Sequence, residues 1–255
     1  MQPPEQVERD ALRSLGRAPG AAVAEIGSAV AFSLPAIPDV GMVHHTVGLG
    51  EDDPADDAVL DEVASFYGDL GIRFYACVTP TAQPPEVREQ LARRSFEHGY
   101  HWMKFTRGVE APPEATTDLD VRLIEAEAGG DFANVVLQAY GMPAPGFETV
   151  AAVAGLAGWS VYVAYDDGVA AAAGALFVAG HLGWLSFAGT LPGHRRKGGQ
   201  GAILAARVAR ARELGVTTLV TETGVIAEGR PSNSYRNILR SGFREAYIRE
   251  NYLSP

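Results

Sequence analysis

Thr190-Leu-Pro-Gly-His-Arg-Arg-Lys-Gly-Gly-Gln-Gly-Ala-Ile-Leu204 sets three cations, Arg195, Arg196 and Lys197, directly before three glycines, Gly198, Gly199 and Gly201. An apolar run from Trp184 to Leu191 precedes it, and a helix-forming run from Ala202 to Leu214 follows. The order is strand, basic glycine-rich loop, helix. Glycines let backbone N–H groups come close to a ligand. The helix aims its positive end at the same point. Cations beside such a turn make a site for a phosphorylated ligand.

Three phosphate loops compete for this stretch. The P-loop, G-x-x-x-x-G-K-[ST], fails because Gly199 and Gln200 stand where Lys and Ser or Thr belong. The dinucleotide fingerprint G-x-G-x-x-G/A finds its first two glycines in Gly199 and Gly201, but Leu204 occupies the third position. Glu222 lies at a fitting later distance for a ribose-binding acid, so a nucleotide-dependent oxidoreductase remains as an alternative. The third pattern, R-x-x-G-x-G, is met by Arg196-Lys-Gly-Gly199-Gln-Gly201.

That pattern resembles the pyrophosphate loop of the GNAT acyltransferases, Q/R-x-x-G-x-G/A. The surroundings agree. Leu204, Val208, Ala211 and Leu214 recur near helical spacing, and Gly215 ends the helix. A strand, Val216-Thr-Thr-Leu-Val-Thr221, comes next. Ser234-Tyr-Arg-Asn-Ile-Leu-Arg-Ser-Gly-Phe243 is similar to the family's last helix and its closing Gly-Phe. Upstream, strands at 121–125, 159–165 and 169–178 and helices from 132 to 140 and on to 156 complete the order β-α-α-β-β-β-α-β-α-β. The resemblance spans residues 119–255. It implies an α/β (α+β) fold whose mixed, mostly antiparallel sheet is flanked by helices.

Residues 1–108 repeat part of this order as a partial GNAT-like unit, and 109–118, rich in Pro and Thr, read as a linker. Where the phosphate loop would fall in the first half stands Gly48-Leu-Gly-Glu-Asp-Asp-Pro-Ala-Asp-Asp57, whose five carboxylates would repel a pyrophosphate. The first half is therefore expected to be degenerate. It would serve packing, form the contact of a homodimer, or wall one side of the acceptor pocket.

The resemblance implies acetyl-CoA as cosubstrate and transfer of its acetyl group to the amine of a small or amino-acid-like molecule, by direct attack in a ternary complex. It implies that N–H groups from Gly198 through Gly199, Gln200 and Gly201 to Ala202 hold the pyrophosphate. Arg195, Arg196 and Lys197 would add charge, and Leu191 would offer backbone hydrogen bonds to the pantetheine arm and an oxyanion donor. Asn233 and Ser234, opening the last helix, would cap it or touch the coenzyme. The family's usual acid, a Tyr four residues before the Gly-Phe, is Ile238 here. Tyr235, one turn earlier, is the replacement candidate, and Glu222, at a strand end, is the candidate base. Aromatic residues of 140–147 and Tyr162 would shape the acceptor pocket. A non-catalytic acyl-CoA-binding or sensing protein is the first alternative, because the Tyr is missing, and ranks ahead of the oxidoreductase.

Composition narrows the rest. The chain has 255 residues, 47% of them hydrophobic, enough for two ordinary domains or one large one. A net charge of −10 argues against nucleic acid as partner. No apolar run is long enough to span a membrane, the first residues lack the pattern of a signal peptide, and Cys77 is the only cysteine; a reducing cytoplasm fits. His44/His45 and His98/His101 lack a second ligand pair at metal spacing and are read as ordinary histidines, with no metal site expected.

Overall fold

The computed structural model describes residues 3–111, 114–225 and 232–255. The first element is a helix the sequence reading left unassigned, α1 (Pro3–Leu15). Val7, Ala11, Leu12 and Leu15 repeat at helical spacing and are buried, and so are Glu5 and Glu8 on the same side. The first half continues with β1 (Ala22–Ile26), β2 (Ala29–Ser33), β3 (His45–Val47), α2 (Asp57–Leu70), β4 (Tyr75–Val78), α3 (Val87–Arg93), β5 (Glu97–His98) and β6 (Trp102–Arg107). Asp56, one of the five acidic-loop carboxylates, caps α2 by accepting from the Val59 N–H.

The second half runs β7 (Asp120–Ile124), α4 (Gly129–Tyr140), α5 (Phe147–Ala152), β8 (Trp159–Asp166), β9 (Val169–Ala179), β10 (Leu182–Thr190), α6 (Gly199–Glu213), β11 (Thr218–Gly224), α7 (Asn233–Arg240) and β12 (Arg244–Leu253). This is the order expected from the sequence. Asp167 and Gly168, both at positive φ, turn β8 into β9. Among the described residues no helix is long and apolar enough to cross a membrane.

The strands form one sheet in the order β1-β2-β3-β4-β12-β6-β11-β10-β9-β8-β7. Each half contains one parallel pair, β3 with β4 and β10 with β11. Beside each pair lies an antiparallel strand supplied by the other half. β6, from the first half, pairs β11; β12, the last strand of the chain, pairs β4 through Glu250–Leu253. The two exchanged strands also pair with each other, Arg244–Arg249 of β12 against β6. The pairing thus crosses the linker in both directions.

Side-chain alternation gives β6 two distinct faces. Phe105 is fully buried with Leu176, Leu185, Leu204, Ile238 and Phe243, on the side of α6 and α7. Lys104, equally buried, points to the side of α1. On that side α1, α4, α5 and strands of both halves share one hydrophobic cluster.

Phe105 belongs by sequence to the first half and by packing to the second. Phe105→Ala should cost about 3–5 kcal/mol. If the exchanged strands make the halves interdependent, urea unfolding followed by tryptophan fluorescence and by far-UV circular dichroism will show one coincident transition, shifted equally. Two separated transitions would mean that the halves unfold independently.

Candidate active site

The site begins where β10 and β11 part. Their parallel pairing covers only Leu182–Trp184 against Thr218–Val220, although β10 continues to Thr190 and β11 to Gly224. β10 turns away through a bulge between Ser186 and Gly189, with Phe187 at φ 54°. Arg207 of α6 secures the bulge, donating to the carbonyls of Ala175 (3.1 Å) and Ser186 (3.3 Å). Gly174 makes room for it, since a Cβ there would lie 3.0 Å from the Arg207 Cζ. Burial pushes the Arg207 guanidinium down to about 10.

At one end of this opening lies the basic glycine loop. Arg196 and Gly198 have left-handed backbones, φ 68° and 80°, and α6 starts at Gly199. Among the described residues, no protein group accepts a hydrogen bond from the N–H of any residue from Arg196 to Gly201, whereas the Ala202 N–H is used by Gly198 O. Unpaired N–H groups converging at a helix start form an anion-binding concavity. Arg195 and Arg196 are exposed and make no ion pair among the described residues; Lys197 is paired with Asp166, which also binds His194 Nδ1 at 2.6 Å. Segment 115–118, read as linker, lies against the loop. Thr117 donates to Lys197 O (2.6 Å), and a Cβ on Gly198 would collide with Thr116 O. Gly199 is buried against Leu119 and Ala172, and Gln200 accepts from the Asn237 amide of α7 at 2.7 Å.

Several expected residues sit elsewhere than the sequence placed them. Leu191 donates its N–H to Ala171 O on the β9 side and its carbonyl accepts from the His194 N–H, so no N–H remains there for pantetheine or an oxyanion. By strand alternation, the backbone of Thr190 faces the open side. Ser232 caps α7, accepting from the Tyr235 N–H at 3.1 Å, and the Asn233 side chain accepts from Arg236. Tyr235 turns away from the opening, bonding Glu245 and packing edge-on to Phe105, and its phenol is pushed up to about 12. Ser234 and Ile238, one helical repeat apart, face the opening instead. Tyr162 is buried with Leu119, Ala172 and Ile203 on the α6 side.

At the other end is a cavity of about 520 Å³ between the two halves. Leu12, Phe32, Tyr75, Tyr100, Trp102 and Trp184 are among its apolar walls, so the first half does line it. Its polar groups form a buried ionic chain. Glu222, on β11, accepts from Trp184 Nε1 (3.0 Å) and from Lys104 Nζ (2.9 Å). Lys104 is fully buried and also bonds Glu8 of α1. Glu8 accepts from Arg249 of β12 at 2.6 Å and lies 3.8 Å from His45 Nε2. Glu5 lies 3.5 Å from Arg249 and accepts from the Tyr247 hydroxyl at 2.8 Å.

The two carboxylates that share Lys104 differ in acidity. Burial alone would push Glu8 up; Arg249 and Lys104 override it and hold the carboxyl at about 2. Glu222 is raised, first by burial and further by Glu8, against the pull of Lys104. A pair of carboxyls driven apart in this way separates a permanent anion from a group able to take a proton. Glu222 was legible as a strand-end acid. Glu8, Lys104 and Arg249 were missed, with Glu8 within the apolar stripe Val7-Ala11-Leu12-Leu15 as the available signal, and His45, read as an ordinary histidine, lies beside Glu8.

The depressed Glu8 carboxyl stabilises the fold above its ordinary value of 4.5 and loses that contribution as pH falls toward about 2. Glu8→Gln breaks a buried pair and should cost about 3–5 kcal/mol at pH 7. The gap from wild type should narrow as pH falls through that window, as urea titrations at stepped pH will show. A gap constant with pH would mean that Glu8 is not held ionised.

No protein-family model matches the sequence, and a search of the curated proteins found no match. Solved structures do resemble the fold. A GCN5-related N-acetyltransferase from Kribbella flavida is 18% identical, with TM-score 0.69, over 99% of this chain and 95% of that one. One from Sphaerobacter thermophilus is 10% identical, with TM-score 0.64, over 96% and 85%. A tandem GNAT protein from the clavulanic acid biosynthesis pathway is 14% identical, with TM-score 0.60, over 98% and 93%. With its splayed parallel pair, its glycine loop at a helix start and its mostly antiparallel sheet, this chain has the fold of the GNAT superfamily.

Proposed function

We propose that this protein is an acetyl-CoA-dependent N-acyltransferase whose acceptor is the amine of a small molecule bound in the cavity between the halves. The observation that carries the reading is one continuous opening. Its lining runs from Gln200, at the start of α6, past Ser186–Ala188 on the splayed stretch of β10, to the Glu222 carboxyl, and the unpaired N–H groups of Arg196–Gly201 lie at the Gln200 end. An oxidoreductase using Gly199 and Gly201 finds no such support, because Glu222 is tied to Lys104 and Trp184 deep in the cavity.

The coenzyme, when bound, supplies an acyl carbonyl activated as a thioester. The N–H groups of Arg196–Gly201 would hold its pyrophosphate, with Arg195 and Arg196 adding charge. Lys197 instead fastens the loop to Asp166. The open edge of β10 would carry the pantetheine arm and present an N–H to the developing oxyanion. Glu222 would take the proton of the attacking amine, a task suited by its raised acidity constant. Lys104 would hold that carboxyl in place while Glu8 keeps the ammonium neutralised. The apolar walls would keep water away. A thiol with an ordinary constant near 8.5 can leave without a dedicated acid, so the diversion of Tyr235 to Glu245 leaves this route open.

Isothermal titration should show acetyl-CoA binding, with NAD and ATP weaker. Arg196→Glu combined with Gly201→Glu should abolish binding with little change in unfolding temperature, since a Cβ at Gly201 meets only ordinary contact with Ala115. Retained affinity would sink the loop assignment. Glu222→Gln should lower kcat by about 10²–10⁴-fold. In wild type, kcat/KM should fall as pH drops through a value above the ordinary carboxylate 4.5. Full activity of Glu222→Gln would remove it as the base, and acetyl-CoA binding without turnover of any amine would favour a sensing protein.

A further inference from the structure

The cavity end remote from the glycine loop contains polar atoms that the fold leaves unused. Asn251 of β12 is 1% exposed; its amide donates to Tyr100 O at 2.9 Å, and its Oδ1 accepts nothing among the described residues. The amide orientation is fixed by that donation, so the unused atom is an acceptor. Arg249, two residues earlier on the same face of β12, is 3% exposed and leaves its Nε–H unused. His45, on β3, leaves Nδ1 unused, and burial holds its imidazole down at about 4, neutral at pH 7. All three line the cavity, and Glu8 lies against both Arg249 and His45.

Charge limits what can satisfy them. Glu5, Glu8 and Glu222 face Lys104 and Arg249, so with every group ionised the cluster has one carboxylate in excess. An arriving ammonium balances that excess at Glu222. A second anion, such as the carboxylate of an amino acid, would meet Glu5 and Glu8 already occupying Arg249. The remaining need is for a neutral group that both donates, to Asn251 Oδ1, and accepts, from Arg249 Nε–H. A hydroxyl or a carboxamide does both. Between this end and Glu222 the walls are aromatic, with Tyr75, Tyr100 and Trp102 among them, and Trp184 stands on the far side of Glu222.

Resting on the acyltransferase reading, we propose that the acceptor is an amine with an apolar body and a neutral hydroxyl or carboxamide at its far end, read by Asn251, Arg249 and His45. The reactive amine lies at Glu222, two strands from Asn251. The first half is then part of the specificity site, through His45 and the wall residues Phe32, Tyr75 and Tyr100.

The test is a matched series of phenylalkylamines ending in hydroxyl, carboxamide, methyl, carboxylate or ammonium. Each is titrated calorimetrically into the whole protein, with and without CoA, and assayed for thiol release from acetyl-CoA. Hydroxyl or carboxamide ends should bind about tenfold tighter than methyl, because a methyl leaves buried polar atoms unpaired. Carboxylate ends should bind weakest. Asn251→Leu should bring the hydroxyl-to-methyl ratio close to one. The proposal is overturned if methyl and hydroxyl ends bind alike, as they would were water serving these atoms. It is also overturned if carboxylate or ammonium ends bind best, if no member binds, or if a folded Asn251→Leu keeps the ratio. Should that variant fail to fold, the ratios of the wild-type protein decide. Absence of acetyl-CoA binding would refute the acyltransferase reading separately, because the amine titrations without CoA stand by themselves.

Discussion

A lysine with no exposed surface cannot remain charged unless carboxylates surround its ammonium, and Lys104 obeys that constraint from the centre of the sheet. Its two partners come from opposite ends of the chain. Glu8 stands on the first helix and Glu222 on the eleventh strand, and Lys104 itself sits on a strand the first half lends to the second. Arg249, on the strand lent back, closes the chain by pairing with Glu8. Satisfying one buried cation therefore brings together α1, both exchanged strands and the candidate base. Removing both carboxylates would leave the Lys104 ammonium buried without a partner among the described residues.

The exchange also explains how the cavity arises. A parallel pair that splays leaves backbone groups without partners. In the second half, β11 turns one edge to β10 for only three residues and fills the other with β6. The wedge between β10 and β11 stays open because Arg207 holds the bulge on one side and Thr221 donates to Leu185 O at 2.9 Å near its apex. In the first half the corresponding parallel pair carries the acidic loop after β3, where Asp56 is spent capping α2. The two halves share an architecture, but α2 is capped by an acidic side chain where α6 opens beside cations, and the first half contributes walls.

What the sequence made legible was local. A basic glycine loop between an apolar strand and a helix is decided by residues within about one turn of each other, and its element order was readable from periodicity, although α6 begins at Gly199, three residues before the expected Ala202. Glu222 was readable as a strand-end acid. Its partners were not, because Lys104 and Glu8 lie 118 residues and more away from it in sequence, and contact at such separation has no periodic signature. Tyr235 illustrates the limit of helical arithmetic: it lies three residues before Ile238 but points to Glu245, while Ser234, four before, shares the cavity face. Leu191 illustrates another. Strand alternation is exact, and a single position decides whether an N–H faces the neighbouring strand or the opening. α1 escaped notice because two carboxylates interrupt its apolar stripe, and those carboxylates are the reason it matters.

The opposed shifts of Glu8 and Glu222 follow from one cation shared by two acids. Lys104 alone cannot satisfy both; Arg249 pairs directly with Glu8, while among the described residues Glu222 gains one further hydrogen-bond donor, Trp184. Protons therefore go to Glu222 first. By linkage the signs are opposite: Glu8 supports the fold above 4.5, while Glu222 withdraws stability as pH rises through its raised constant, because its ionised form is the one the fold disfavours. That cost is what a general base requires. A carboxylate fully satisfied in the fold would have no reason to accept a proton from an amine. The fold leaves Glu222 undersupplied with positive charge, and on the proposed function an ammonium arriving in the cavity would supply both the missing charge and the proton.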